Sequence, residues 1–137
     1  VHQLKRDRPD LTIEINGGLE TLGDCLSQLQ MVDGAMVGRA AYHHPLRWAG
    51  VDHDVFNDSS AVKAKASTVV RGLMTYADNW RRRGDRLWPI ARHLVHVVEG
   101  VAGARAWRQQ LTQAAGQRDA GAEVLEAAAR QLEAHGY

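Results

Sequence analysis

Two short apolar segments, each ending in a glycine turn, constrain the fold that the first third of the chain can adopt. Residues 11–15 alternate apolar and polar side chains and are rich in β-branched residues, which predicts a strand that stops at Asn16-Gly17-Gly18. Residues 34–38 form a second apolar run that is too short for a helix. With a helix between them, the two strands form a βαβ unit and should pair in parallel. Such a unit cannot cover both faces or pair both edges of its sheet, so we expect neighbouring strands upstream.

The helix between the strands is predicted by four residues at helical spacing, Leu22, Cys25, Leu26 and Leu29. Cys25 is the single cysteine, so no internal disulfide can form. Its place on the apolar stripe predicts buried packing rather than catalysis. No apolar run reaches the roughly 20 residues that a membrane-spanning helix needs.

A polar, turn-rich stretch from Asp52 to Ser60 is the best candidate for a domain boundary. Beyond it, glycines separate segments with apolar residues at helical spacing, which predicts four short amphipathic helices in a small bundle. We therefore expect an α/β domain over residues 1–52 and an all-α domain over residues 60–137. The four stripes comprise Val62, Ala66, Val69, Leu73, Ala77 and Trp80; Leu87, Ile90, Leu94 and Val97; Ala104, Trp107 and Leu111; and Leu125, Ala128 and Leu132.

The net charge of +1 conceals two halves of opposite sign. Residues 1–59 carry five Lys/Arg against nine Asp/Glu, which gives −4. Residues 60–137 carry twelve Lys/Arg against seven Asp/Glu, which gives +5. The densest basic stretch runs from Arg81 to Arg108. This asymmetry predicts different partners for the two halves.

The two glycine turns, Asn16-Gly17-Gly18 and Gly38-Arg39, are candidates for binding a phosphate. Glycine lets the backbone approach an anion closely, and an arginine adds charge-assisted hydrogen bonds. We also expect a helix that begins near Leu19 to contribute its positive end. In (β/α)₈ barrels a phosphate site is often built by the loops after the last two strands. The pattern alone equally allows glycines that only make tight turns.

Several segments closely resemble bacterial tRNA-dihydrouridine synthases of the synthase A subfamily. The sequences at 11–18 and 33–42 are similar to the final barrel strands of that family, and the sequence at 4–7 matches as well. In the helical part, the sequences at 90–94 and 100–108 fit the family pattern. The resemblance covers nearly the whole chain in order and with comparable spacing.

The resemblance implies an α/β plus all-α fold: the last βαβ unit of a TIM (β/α)₈ barrel, followed by a C-terminal helical bundle domain that binds tRNA. It implies a cytoplasmic oxidoreductase that reduces uridine to 5,6-dihydrouridine in the D-loop of tRNA, at positions 20 and 20a by family tendency. FMN carries the hydride and NADPH regenerates it. The implied partner is tRNA, with no membrane and no metal, and the full-length form is expected to be monomeric.

The resemblance also assigns cofactor-binding residues. The FMN phosphate end would be bound by Asn16, Gly17, Gly18, Gly38 and Arg39. The family's catalytic cysteine, which protonates C5 of a flipped-out uracil, lies in the first half of the barrel, so we expect it upstream of this chain. The chain alone is therefore expected to be inactive.

By the same resemblance, Arg105 and Arg108 lie where the family places tRNA-contacting arginines. The two are i,i+3 neighbours on one helix face, which Gln109 and Thr112 extend. Paired guanidiniums suit phosphate recognition, whereas the alternative is an ordinary solvated helix face.

The remaining aromatic and basic residues carry weaker hypotheses. The histidines His43, His44 and His53 lack standard metal-ligand spacing and are expected at the surface. Trp80 and Trp107 lie on apolar stripes and are expected in the core, whereas Trp88 is more open to stacking on a base. The run at 81–83 either attracts tRNA electrostatically or is a solvated charge run.

Two further functions fit parts of the pattern. One is a non-catalytic RNA-binding module, in which the helical half binds tRNA and the βαβ unit is only structural. The other is a flavin barrel acting on a small molecule, which the glycine turns alone would permit. The basic helical segment argues against this second alternative, because a small substrate does not need it.

Overall fold

The computed structural model describes residues 1–137, and the chain divides into two compact units, Val1–Lys63 and Ala64–Tyr137. The sequence placed the change of domain slightly earlier, between residues 52 and 60. The functional assignment of the segments 1–52 and 60–137 stays a prediction. No helix in the chain combines the length and apolar character needed to cross a membrane.

The first unit is built around two parallel strands. Their pairing sets Glu14 opposite Gly34 and Asn16 opposite Met36, as the βαβ pattern predicts. Both strands are shorter than the sequence indicates. Just before the first strand, Ile13 bonds to the start of the second: its N–H donates to the carboxylate of Asp33 at 2.8 Å, and its carbonyl accepts from the N–H of Asp33 at 3.0 Å. The elements are α1 (His2–Asp7), β1 (Glu14–Asn16), α2 (Leu22–Leu29), β2 (Gly34–Met36), α3 (Arg39–His43), a 3-10 helix (Pro45–Trp48) and α4 (Val51–Asp54).

Helix α2 forms where the stripe predicts it, but of the four stripe residues only Cys25 is buried, while Leu22 and Leu29 are half-buried. Cys25 is buried together with Val32, and burial raises the pKa of the Cys25 thiol, which suits a packing role. The expectation for Leu26 is wrong, because its side chain remains 36% exposed. In the first unit, Cys25 and Val32 are the only apolar side chains that are buried.

The second unit is an all-helical bundle of five helices, where the sequence predicts four. Its last helix, α9, packs against α5, α6 and α8, while α7 packs against α8. Buried apolar residues include Leu87, Trp107 and Leu125. The helices are α5 (Ala66–Gly72), α6 (Met74–Arg82), α7 (Trp88–Leu94), α8 (Ala104–Ala115) and α9 (Ala122–Ala134).

The extra helix arises because the first predicted stripe is interrupted near Gly72 and Leu73. Glycine is a poor helix former, and the N–H of Leu73 bonds to the carbonyl of Val70 three residues back instead of continuing the α-helix. The stripe is also wrong at Val62 and Val69. Val62 precedes α5 and is 90% exposed, and Val70 rather than Val69 is fully buried.

An arginine of α5 forms ion pairs with two glutamates of α9. Arg71 donates from Nε to Glu126 at 2.9 Å and from Nη1 to Glu133 at 2.6 Å. Arg130 donates to the same Glu126 carboxylate at 2.9 Å. The hydrogen bonds from Arg71, and then those from Arg130, lower the pKa of Glu126 to about 2, and Arg71 also lowers the pKa of Glu133.

Leu125→Ala should destabilise the helical unit strongly. Leu125 is completely buried in α9, so truncation removes apolar contacts and leaves a cavity, which costs about 2–5 kcal/mol. The measurement is urea denaturation followed by far-ultraviolet circular dichroism. Val62→Ala is the control, since that exposed side chain should change the free energy of unfolding by less than about 0.5 kcal/mol. A large effect at Val62 would contradict the assignment of the core.

The ion pairs of Arg71 should make stability depend on pH. A carboxylate whose pKa is depressed in the folded state stabilises that state above its unfolded pKa, near 4.5, and loses this effect as pH falls towards the folded value. Thermal midpoints measured from about pH 7 down to about pH 3 should therefore fall less steeply in Arg71→Met than in the unmodified chain. Arg118→Met, which removes an exposed arginine outside this network, should leave the slope unchanged.

Candidate functional site

The five residues predicted to bind the cofactor line one cleft. Asn16, Gly17 and Gly18 follow β1, whereas Gly38 and Arg39 follow β2, and all of them border a cavity of about 570 Å³. The carboxyl ends of parallel strands meet at one edge of a sheet, so the pairing of β1 with β2 brings both turns together. We call this cavity the strand-end cleft.

The first glycine turn requires glycine for its backbone. Gly17 has φ +110° and Gly18 has φ +70°, which are values that L side chains rarely adopt. A Cβ atom at either position would meet nothing within 4 Å, so the space beside the turn is open to a ligand. Gly38 differs, because its φ of −106° is accessible to other residues.

The expected contribution of a helix end to this cleft is wrong. Helix α2 begins at Leu22 rather than near Leu19, and its first turn is closed by a capping box. The hydroxyl of Thr21 accepts from the N–H of Asp24 at 3.1 Å, and the Asp24 carboxylate accepts from the N–H of Thr21 at 2.8 Å. The bond with Thr21, followed by backbone bonds, lowers the pKa of Asp24, so a negative charge already occupies this helix end.

Charged residues that the sequence did not indicate also line the strand-end cleft. Arg47 belongs to the 3-10 helix, which packs against α3 and returns the chain towards the glycine turns. His43 and His44, expected only at the surface, border the cleft as well. Glu20 is the one acidic residue in its lining. Arg47 carries no sequence signal of its own, because its position depends on the turn that Pro45 starts.

No three His, Cys, Asp or Glu side chains of the chain form a group suited to a metal ion. The arginine, the asparagine and the backbone of the glycine turns are instead suited to an anion. A cavity of this size is within the range of about 300–1,000 Å³ that small-molecule sites occupy. The size and the chemistry of the cleft lining therefore suit a cofactor with a phosphate end. The roles of the individual residues stay predictions.

In the second unit, helix α8 has the two faces that its spacing predicts. Ala104, Trp107 and Leu111 are buried, and the indole N–H of Trp107 donates to the carbonyl of Ala128 at 2.9 Å. This confirms Trp107 as a core residue. Arg105 is exposed, whereas Arg108, four residues after Ala104, is half-buried at the edge of the apolar face.

Arg108 borders a shallow groove of about 610 Å³ between α7 and α8, which we call the α7–α8 groove. Gln109 and Thr112 continue its α8 wall, whereas Trp88 and Arg92 contribute from α7. Arg105 lies outside this lining. The structure therefore groups Arg108 with Arg92 in a single groove and leaves Arg105 on the adjoining helix surface.

The arginine run after α6 is partly structural. Arg81 donates from Nη1 to the carbonyls of Asp85 at 3.0 Å and Arg118 at 3.2 Å. Arg82 contacts Asn79, whereas Arg83 is exposed and makes no side-chain hydrogen bond. Of the three, Arg83 is the one whose charge is fully available to a partner.

Comparison with known proteins gives consistent results. A family model described as dihydrouridine synthase (Dus) matches residues 1–133. The chain is 42% identical over 126 residues to the tRNA-dihydrouridine(20/20a) synthase of Escherichia coli strain K12, with 92% of the chain and 36% of that protein covered. Proteins of the same name from Shewanella oneidensis and Synechocystis sp. are 41% and 40% identical, each with 93% of the chain and 38% of the relative covered. The chain thus spans little more than a third of the length of these relatives.

Proposed function

The chain belongs to the dihydrouridine synthase family, and on that premise we propose that the protein containing it reduces uridine to 5,6-dihydrouridine in the D-loop of tRNA. By the names of its relatives, the proposed positions are 20 and 20a. The observation that carries the proposal is the meeting of two glycine turns and Arg39 in the strand-end cleft. The proposed location is the cytoplasm.

In this proposal the strand-end cleft holds the phosphate end of FMN. Gly17 and Gly18 let the phosphate approach the backbone closely, since a side chain at either position would stand in that space. Arg39 offers a guanidinium to the phosphate oxygens, and Asn16 offers a side-chain amide. Arg47 adds positive charge to the same lining, while Glu20 opposes an anion there.

The chain's residues therefore have a positioning role. When bound, FMN supplies the hydride that reduces the C5–C6 double bond of uracil, with NADPH as the source of electrons. Anchoring the phosphate fixes one end of the cofactor, and this restricts where its other end can lie relative to the base. No residue of this chain is assigned to the proton transfer: the thiol of Cys25 is enclosed, and its raised pKa opposes ionisation.

The basic helical unit is proposed to hold the tRNA. The side chains of Arg105 and Arg108 project from the same side of α8, and neither forms an ion pair within the chain. Unpaired guanidiniums keep their full charge for phosphate oxygens, which carry no base identity but position the RNA. A non-catalytic RNA-binding module would share this unit, so flavin binding is what separates the two functions.

Arg39→Ala should remove the contribution of the phosphate to flavin binding. A charge-assisted hydrogen bond contributes about 1.5–3 kcal/mol, so affinity for FMN should fall roughly 10- to 150-fold. Riboflavin, which lacks the phosphate, should bind the variant and the unmodified chain equally. Titration calorimetry with both ligands gives the difference.

Two matched variants sharpen this experiment. Arg6→Ala removes the same charge from an exposed residue of the first unit and should leave FMN affinity unchanged. Glu20→Gln should raise FMN affinity, because it removes the negative charge from the cleft lining. If the unmodified chain shows no preference for FMN over riboflavin, the assignment of the strand-end cleft is wrong.

Arg105→Ala combined with Arg108→Ala should weaken tRNA binding and leave FMN binding unchanged. Each lost phosphate contact reduces the slope of log affinity against log salt by about 1, so the double variant should lose about 2. Filter binding at several salt concentrations measures this slope. The control is Arg118→Ala with Arg130→Ala, which removes two arginines elsewhere in the unit, one of them already paired with Glu126. Equal losses in both double variants would place the RNA face elsewhere.

A further inference from the structure

The α7–α8 groove combines features that the phosphate contacts alone do not explain. Trp88 from α7 and Val95, which follows α7, contribute apolar surface to the same lining as the charged groups of Arg92 and Arg108. Thr112 faces them from α8. A site for phosphates alone has no use for an aromatic and an aliphatic side chain, whereas the flat face of a nucleobase does.

The cations of the groove are available to a ligand. Arg92 is exposed and forms no hydrogen bond or ion pair within the chain. Arg108 makes one long hydrogen bond, from Nη1 to the carbonyl of Val98 at 3.4 Å. No acidic side chain lines the groove. Both guanidiniums can therefore bind an anion without breaking an internal ion pair, in contrast to Arg71.

Trp88 is also the tryptophan of the helical unit that is best placed to receive a base. Trp107 is buried and its N–H is already bonded to a carbonyl. Trp80 stacks against Tyr76 with ring centroids 6.1 Å apart, and its indole nitrogen is buried. Trp88 is half-buried and borders an open groove.

We propose that the α7–α8 groove binds one unstacked nucleotide of a folded RNA, with Trp88 stacking on the base and Arg92 and Arg108 binding the flanking phosphates. The proposal rests on the proposed function, in which that RNA is tRNA. The proposal concerns a base other than the uridine that is reduced. Aromatic stacking between cationic side chains is a general means of holding single-stranded nucleotides.

Trp88→Leu in the full 137-residue chain tests the stacking. Affinity for tRNA should fall roughly 5- to 150-fold, the range expected for one stacked base, and the salt slope should stay unchanged because no charge is lost. Trp88→Phe should retain most of the affinity, since it keeps an aromatic face. Arg92→Ala should instead lower the salt slope by about 1, which the control Arg118→Ala should not do.

A second variant avoids the loss of packing that replacing Trp88 could cause. Thr112 is exposed on α8, so Thr112→Trp should fill the groove from the opposite wall while the helix remains intact. It should weaken tRNA binding to a similar degree as Trp88→Leu. A blunt RNA duplex offers no unstacked base and should bind the unmodified chain more weakly than tRNA does. Its affinity should be the same for Trp88→Leu, Thr112→Trp and the unmodified chain.

The outcomes separate this inference from the function on which it rests. If tRNA binding depends on Arg105 and Arg108 but is unchanged in Trp88→Leu and Thr112→Trp, the stacking site is refuted and the RNA-binding unit stands. If duplex and tRNA lose affinity equally, the groove holds phosphates without a base, and the inference is also wrong. If the unmodified chain does not bind tRNA, the proposed RNA-binding role of the helical unit and the stacking site are both wrong.

Discussion

The parallel pairing of β1 with β2 is the interaction on which the strand-end cleft depends. It places the residues after both strands at one edge, so that turns far apart in sequence border one cavity. The pairing is secured at its start by Asp33, whose carboxylate accepts from Lys5 Nζ at 2.7 Å and from the N–H of Ile13 at 2.8 Å. The bond with Lys5, followed by that with Ile13, lowers the pKa of Asp33, so the carboxylate remains charged and both contacts persist. A register shift of one residue would separate Gly17 from Gly38 along the edge.

The two units differ in the interactions that hold their elements together. The helical unit has a continuous apolar core in which α9 touches three other helices, and its one buried polar side chain besides the tryptophans is Ser67. The first unit encloses few apolar side chains, and hydrogen bonds at its turns and helix ends fix its local geometry.

Sequence patterns predicted those features that depend on periodicity within one element. The buried faces of α8 and α9, the enclosure of Cys25 and the parallel strands all follow from spacing, because spacing determines which side chains share a face. The errors arose where neighbouring elements decide. Leu26 lies at helical spacing yet remains partly exposed, and α2, capped by Thr21, begins at Leu22, three residues after the predicted start. Proline at position 45 indicates the start of the short helix that carries Arg47, but the packing of that helix against α3, which brings Arg47 to the strand-end cleft, is not specified by a local pattern.

The arginines of the helical unit illustrate why basic composition alone does not locate an RNA-binding surface. Arg71 and Arg130 are neutralised by the glutamates of α9, and Arg81 bonds to two backbone carbonyls. Arg92 and Arg108 have no such acidic partner and share a groove with an aromatic side chain. A guanidinium already paired must lose one partner to gain another, so its net contribution to RNA binding is small. Recognition should therefore follow the arginines that folding leaves unpaired, and Arg92 and Arg108 meet this condition in a groove that also offers an aromatic face.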